Sequence, residues 1–251
     1  STSSNVTDDV WFDADSAIYF MQQYQTDMVT WIGDIPQGLF SVLIAKPELG
    51  AGLYKGQFKK ITSNDYLSYW KDFKDVVYVD NNYELALMAS TYASLLNAPL
   101  IIQGTSSDSP NTFYQRNVIC AGSATPAGAS CSRKYTLDQL QNDYLKKTLT
   151  DKIILVNPND LNIKVTEQFI PEKSSGAINE IYSRTSLAAP ILASAKHELI
   201  FSTKSTNYQE VDSFIESKIK NLGIKAGYLT IVASPDAIEM SKTLGNFIQM
   251  S

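Results

Sequence analysis

The rhythm of apolar and polar positions changes at residue 75. Upstream, the apolar runs are short and heavily punctuated: MVTWIG (28–33), LFSVLIA (39–45) and LYKGQFKKI (53–61), separated by Gly33, Pro36, Gly38, Pro47, Gly50 and Gly52. Runs of that length between turn formers predict strands joined as hairpins, or an edge layer. Ser63, Asn64 and Asp65 then offer caps for a short amphipathic helix, DYLSYWKDF. Residues 1–16 are polar and acidic and predict a flexible N-terminus, leaving 17–74 as a β-containing N-terminal layer.

From Asp75 short continuous apolar runs alternate with helical periods. VVYV (76–79), PLIIQ (99–103), IILV (153–156), ELIFS (198–202) and YLTIVAS (228–234) read as buried strands. Between them, YELALMASTYASLLN (83–97), TLDQLQNDYLKKTL (136–149), RTSLAAPILASAKH (184–197) and NYQEVDSFIESKIKNLG (207–223) carry helical spacing. Thr136 and Asn207 stand as N-caps and Gly223 as a stop. Strands alternating with helices imply right-handed crossovers and a parallel sheet covered on both faces.

The series repeats. Leu100-Ile101-Ile102 matches Leu199-Ile200-Phe201 at an offset of 99 residues, and Ala89-Ser90 matches Ala188-Ala189 at the same offset. The predicted fold is therefore α/β: one Rossmann-like parallel sheet built from two βαβ-type repeats, about 75–156 and 153–233. The first repeat carries a long loop (104–135), and the second an insertion at 161–183. A third strand-and-helix unit opens near residue 234 and reads as unfinished at Ser251. Three strand exits look alike: VDNN (79–82), VNPN (156–159) and VASPD (232–236).

Composition narrows the setting. Apolar residues make up 44% of the 251, enough for a full-sized core. Charged residues are only 19%, and Ser, Thr, Asn, Gln and 14 Tyr supply the polarity instead, an exchange common in secreted and surface proteins. The net charge of −5 has no basic run within it, which argues against nucleic acid and anionic membranes as partners. No run of 18 apolar residues is present to span a membrane. Asn5-Val6-Thr7 is a glycosylation sequon.

The two cysteines, Cys120 and Cys131, bracket AGSATPAGAS, a stretch of small residues that builds no core. They read as a disulfide, worth about 2–3 kcal/mol on the chain-entropy model, and as a mark of an oxidising, extracellular compartment. Two unrelated thiols are the other reading.

VVYVDNNYELALMASTYASLLNAPLII resembles the cell-wall-binding repeat of bacterial and archaeal surface proteins, most closely at Asn97-Ala98-Pro99 and Leu100-Ile101-Ile102. The resemblance covers 75–105 well and 153–233 loosely. It implies small Rossmann-like units displayed at a cell surface. The family's Asp-Ala-Leu after the first strand is replaced here by Glu84-Leu85-Ala86. VDSFIESKIKNLG followed by IVASPDAI is similar to the first α/β half of gingipain-type cysteine peptidases, with Glu239 where that family often has Pro. This second resemblance ends before that family's catalytic subdomain.

Candidate chemistry is sparse. The single histidine, His197, ends a small-residue helix and reads as a helix-end or core histidine. No GxSxG elbow, phosphate-binding loop or GxGxxG occurs, and the exit from VVYV has no glycine, so no cofactor is expected. Cys and His are too few for zinc. Asp8, Asp9, Asp13 and Asp15 lack EF-hand spacing and read as a solvated arm rather than a metal site. Asp80, Asp160 and Asp236 fall at the carboxyl edge of the predicted sheet, where open α/β folds bind ligands; each is also a natural cap or turn former. Two of them would form a composite site if their strands were neighbours. Tyr54, Tyr66, Tyr69, Trp70, Tyr78, Tyr83 and Tyr92 cluster in 54–92, for stacking on sugars, for a protein interface or for packing.

These features predict a non-catalytic extracellular module for adhesion, envelope assembly or cell-wall binding. The expected partner is an envelope component or another protein, within a homo-oligomer or a longer parent polypeptide. The alternative is the N-terminal, non-catalytic part of a gingipain-like peptidase whose His and Cys lie elsewhere. A third reading is a small-molecule receptor using the carboxyl edge of the sheet.

Overall fold

The computed structural model describes residues 27–32, 57–70, 72–162, 185–233 and 237–238. The chain divides into two units, Ser1–Lys71 and Asp72–Ser251. The run at 39–45, the acidic arm and Asn5 lie outside the described residues.

In the first unit, β1 (Met28–Ile32) pairs with β2 (Gln57–Ile61) in parallel, from Met28 opposite Gln57 to Ile32 opposite Ile61. A hairpin between them is ruled out, because parallel neighbours require a long crossover rather than a tight turn. The helix expected from Asp65 is a 3-10 helix, Ser63–Tyr69, preceded by Thr62, whose hydroxyl donates to Asp65. Trp70 then meets both Tyr66 and Tyr69 edge to face, with ring centroids 5.2 and 5.0 Å away.

The second unit is an α/β structure with parallel sheets. Its elements are β3 (Asp75–Val79), α1 (Tyr83–Leu95), β4 (Leu100–Ile102), α2 (Pro110–Phe113), β5 (Asn117–Ala121), β6 (Arg133–Tyr135), α3 (Leu137–Thr148), β7 (Lys152–Val156), α4 (Ala189–Lys196), β8 (Leu199–Ser202), α5 (Tyr208–Leu222) and β9 (Tyr228–Val232). Caps set most helix ends. Asn82 accepts from the Leu85 N–H, Thr136 and Gln139 form a reciprocal capping box, and Asn207 accepts from the N–H groups of Gln209 and Glu210. Gly223 closes α5 in the left-handed region. Pro190 brings the α-helical part of the fourth helix in late: Thr185–Ala188 winds as 3-10 and α4 starts at Ala189.

Two βαβ-type repeats are present, but their strands lie in two sheets rather than one. The first has the order β4-β3-β5-β6 and the second β8-β7-β9. In each, the repeat's first strand is central, its second strand lies on one side and its third on the other. A buried side chain occupies part of the free edge of the second sheet. Gln141, on α3, donates to the Ile200 carbonyl at 2.7 Å, so that backbone acceptor on edge strand β8 is already engaged.

The structural repeat runs at an offset of 100, one residue from the sequence match. Asn97 and His197 are the left-handed residues ending α1 and α4, with φ of 51° and 55°. Ala98 and Glu198 follow them, and their N–H groups bond the carbonyls of Ala93 and Ala193. Ala89 and Ala189, and Ala93 and Ala193, are all buried in one core. Helices α1 and α4 pack on each other, and α1 and α3 both reach β8. Small side chains on equivalent helices thus permit close approach of repeat to repeat as well as of helix to sheet. Ala188 is exposed, which rules out the 99-residue offset for the helix.

Segment 104–135, expected as a loop, holds α2, β5 and β6. Cys120 lies within β5, fully buried. On the far side of the first sheet from α1, Tyr78 packs edge to face on Phe113 of α2.

Candidate carboxyl-edge cleft

The first sheet ends in a small cleft where β3 and β5 part. It is the place where the chain leaves the central strand in one direction and returns on the other side, the position at which open α/β sheets hold ligands. The cleft has a volume of about 390 Å³ and is lined by Asn82, Glu84, Leu85, Gly122, Ser123, Thr136 and Leu137. The first turns of α1 and α3 form two walls, and the exit from β5 forms the third.

Asp80 lies behind the third wall. Its carboxylate accepts from the Ser123 N–H at 2.8 Å, the Ser123 hydroxyl at 3.0 Å and the Ala124 N–H at 2.6 Å. Burial acts to raise the Asp80 carboxyl pKa, but these donors and the charge of Lys134 outweigh it and hold the group below its usual range. Lys134 also donates to the Ser123 carbonyl at 2.6 Å. The close fit requires glycine at 122: φ is +97°, and a Cβ there would lie 2.3 Å from an Asp80 oxygen.

The disulfide closes the other end of the same loop. Cys120 and Cys131 are bonded, with Cα atoms 5.7 Å apart. Ser132 then donates from both N–H and hydroxyl to the Val118 carbonyl, and β6 follows. The loop forming one lip of the cleft is therefore held by a carboxylate at its start and a covalent bond at its end.

The second sheet uses the same position differently. Asn157 follows β7 as Asp80 follows β3. It is fully buried, and its amide donates to the Ala237 carbonyl beyond β9 at 2.7 Å. One repeat ties its third-strand exit with a carboxylate accepting N–H groups; the other uses an amide donating to a carbonyl. Asp160 is also fully buried and accepts from the Ser186 N–H at 2.7 Å, at the start of the 3-10 turn leading into α4. The Ser186 hydroxyl donates to the Asn157 carbonyl.

Of the three strand-exit aspartates, Asp80 and Asp160 follow strands of different sheets and form no composite site, and Asp236 lies outside the described residues. Asp80 is not the cap of α1; Asn82, two residues on, takes that role. His197 is an exposed helix-end residue. Among the clustered tyrosines, Tyr78 and Tyr92 are buried, and Tyr69 is 61% exposed. Sequence reasoning did not single out Asn82, Ser123, Thr136 or Glu84 as cleft residues. The one local signal was that two helix starts and a small-residue strand exit all belong to the first repeat.

Chemically the cleft offers hydroxyls, an amide, two leucines and one carboxylate, Glu84, which pairs with Lys204 at 3.3 Å. Acidic side chains in both first turns, Glu84 and Asp138, oppose binding of anions by the helix ends. No cluster of three or more His, Cys, Asp or Glu residues arranged for a metal occurs among the described residues. No helix among them is long and apolar enough to cross a membrane. No protein family, curated protein or solved structure matches the chain.

Proposed function

We propose that this chain is a non-catalytic extracellular module of the cell surface, serving adhesion, envelope assembly or cell-wall binding through the cleft of the first sheet. The observation that carries the reading is how the strand-exit polar groups are used. Asp80, Asn157 and Asp160 hold backbone groups of their own fold in place, and both cysteines are spent on the disulfide. A general base needs a free lone pair facing substrate, and a thiol nucleophile needs a thiolate. The cleft walls carry hydroxyls, an amide and two leucines beside one carboxylate, Glu84, which is paired with Lys204. Their mixture of hydroxyl, amide and leucine fits a neutral, hydroxyl-rich envelope polymer better than a phosphate. The disulfide supports an oxidising compartment.

Co-sedimentation with purified cell envelope tests the reading. Native protein should pellet with the envelope, and Ser123→Trp, which adds bulk at a residue lining the cleft, should remain in solution with its fold confirmed by circular dichroism. Equal pelleting of both proteins, or of neither, would contradict a role for the cleft.

A further inference from the structure

The exit of β8, in the second sheet, supplies a charge to the cleft of the first. Glu84 is the charged residue among those lining the cleft, and its Oε2 lies 3.3 Å from Nζ of Lys204. The Glu84 side chain is 21% exposed and that of Lys204 68% exposed. A lysine so exposed gains little order from its own packing, so its place depends on the backbone that carries it.

That backbone is tied down on both sides of Lys204. The Thr203 N–H donates to the Val156 carbonyl at 2.9 Å, and the Ser205 N–H to the Thr203 hydroxyl at 3.2 Å. The Asn159 amide donates to the Lys204 carbonyl at 3.1 Å, and the Asn157 amide to the Ser205 carbonyl at 3.4 Å. Both asparagines of the strand exit VNPN therefore hold the turn that presents the lysine. The first repeat makes the same turn without it. Gln103 donates to the Val79 carbonyl as Thr203 does to Val156, and the next residue is Gly104.

Pairing changes what the cleft can hold. A bare carboxylate beside hydroxyls and an amide draws cations, amines included. With Lys204 in place, the pair adds no net charge, and the remaining lining groups are neutral. We propose that Lys204 is the specificity-determining residue of the cleft: by pairing with Glu84, it selects an uncharged, N-acylated sugar polymer over one that bears free amines. This rests on the envelope-binding reading and narrows its ligand class. An exposed ion pair adds little to stability, so Lys204 can be replaced without unfolding the chain.

The probes are a trimer of N-acetylglucosamine and the same trimer without its acetyl groups, which carries amines instead. Binding of each is titrated on the native, disulfide-bonded protein. Wild type should prefer the acetylated trimer. Lys204→Met should shift the preference about two- to fivefold toward the amine, the range of one exposed ion pair. Lys147→Met is the control: it removes the same charge from a pair with Asp143, about 15 Å along α3 from Leu137, and should leave the preference unchanged. Glu84→Gln added to Lys204→Met should abolish the shift. An equal preference in Lys204→Met and Lys147→Met overturns the proposal, as does a shift that survives Glu84→Gln or binding of neither trimer by any variant. Co-sedimentation of wild type with envelope separates the two levels. If wild type pellets and the preference does not move, only the role of Lys204 fails; if wild type stays in solution, the reading beneath it fails.

Discussion

The Asp80 carboxylate and the backbone of Ser123 are 2.8 Å apart, though 43 residues separate them in the chain. This contact joins the exit of the central strand to the exit of its neighbour and shapes one wall of the cleft. Asp80→Ala should destabilise the protein by about 1–3 kcal/mol, because it strands N–H groups that now bond a charged acceptor. Denaturant unfolding of the two proteins at neutral pH measures the difference.

The same contact sets a pH dependence. The folded-state pKa of Asp80 is lowered, so its contribution is fully present above the ordinary value of 3.8 and fades as pH falls through the folded value. The stability gap between wild type and Asp80→Asn should therefore be wide at pH 6 and shrink only in strong acid, below about pH 4. A gap that widens on acidification would contradict the assigned sign.

Gly122 and Gly104 make an internal control. Both have positive φ, +97° and +79°, but a Cβ at Gly104 meets nothing within 4 Å, whereas one at Gly122 meets the Asp80 carboxylate. Gly104→Ala should cost about 1–2 kcal/mol from backbone strain alone. Gly122→Ala should cost more, and its excess should fall when Asp80 is also Ala, a non-additivity that a double-mutant cycle reads directly.

Gln141 is almost wholly buried, and its amide is the partner of the Ile200 carbonyl on edge strand β8. Gln141→Leu keeps the volume and removes the donor. It should destabilise by about 1–3 kcal/mol, the cost of an unpaired buried carbonyl. Hydrogen exchange on β8 should rise in the same variant.

How far the sequence could be read follows from the range of each interaction. The helices at 83–95, 137–148 and 208–222 were legible because their periods and their caps, Thr136 and Asn207 among them, are local. NVICA was not legible as a strand: its apolar run is three residues long and merges into AGSATPAGAS, so only pairing with β3 and β6 identifies it. The repeat was visible, but at the wrong offset. Leu-Ile-Ile matches Leu-Ile-Phe on hydrophobicity alone, while the true register rests on the left-handed turns at Asn97 and His197. Asp80 and Asp160 were visible as strand-exit residues. Their acceptor roles were not, because the donors at 123, 124 and 186 are 26 to 44 residues distant. The division into two sheets is a matter of strand pairing between distant segments, which no local pattern records.

The disulfide is compatible with the proposed extracellular setting. Reduction should lower stability by roughly 2–3 kcal/mol. Intact mass after alkylation of the unfolded native protein, without and with prior reduction, reads the bond itself. Label should enter only after reduction; two free thiols in native material would remove the support for an oxidising compartment.

The proposed recognition of an envelope component would take place in the cleft of the first sheet. The most direct measurement is the fraction of native protein that pellets with purified envelope, compared between wild type and Ser123→Trp with both confirmed as folded. Wild type should pellet and Ser123→Trp should stay in the supernatant. Identical behaviour of the two would contradict it.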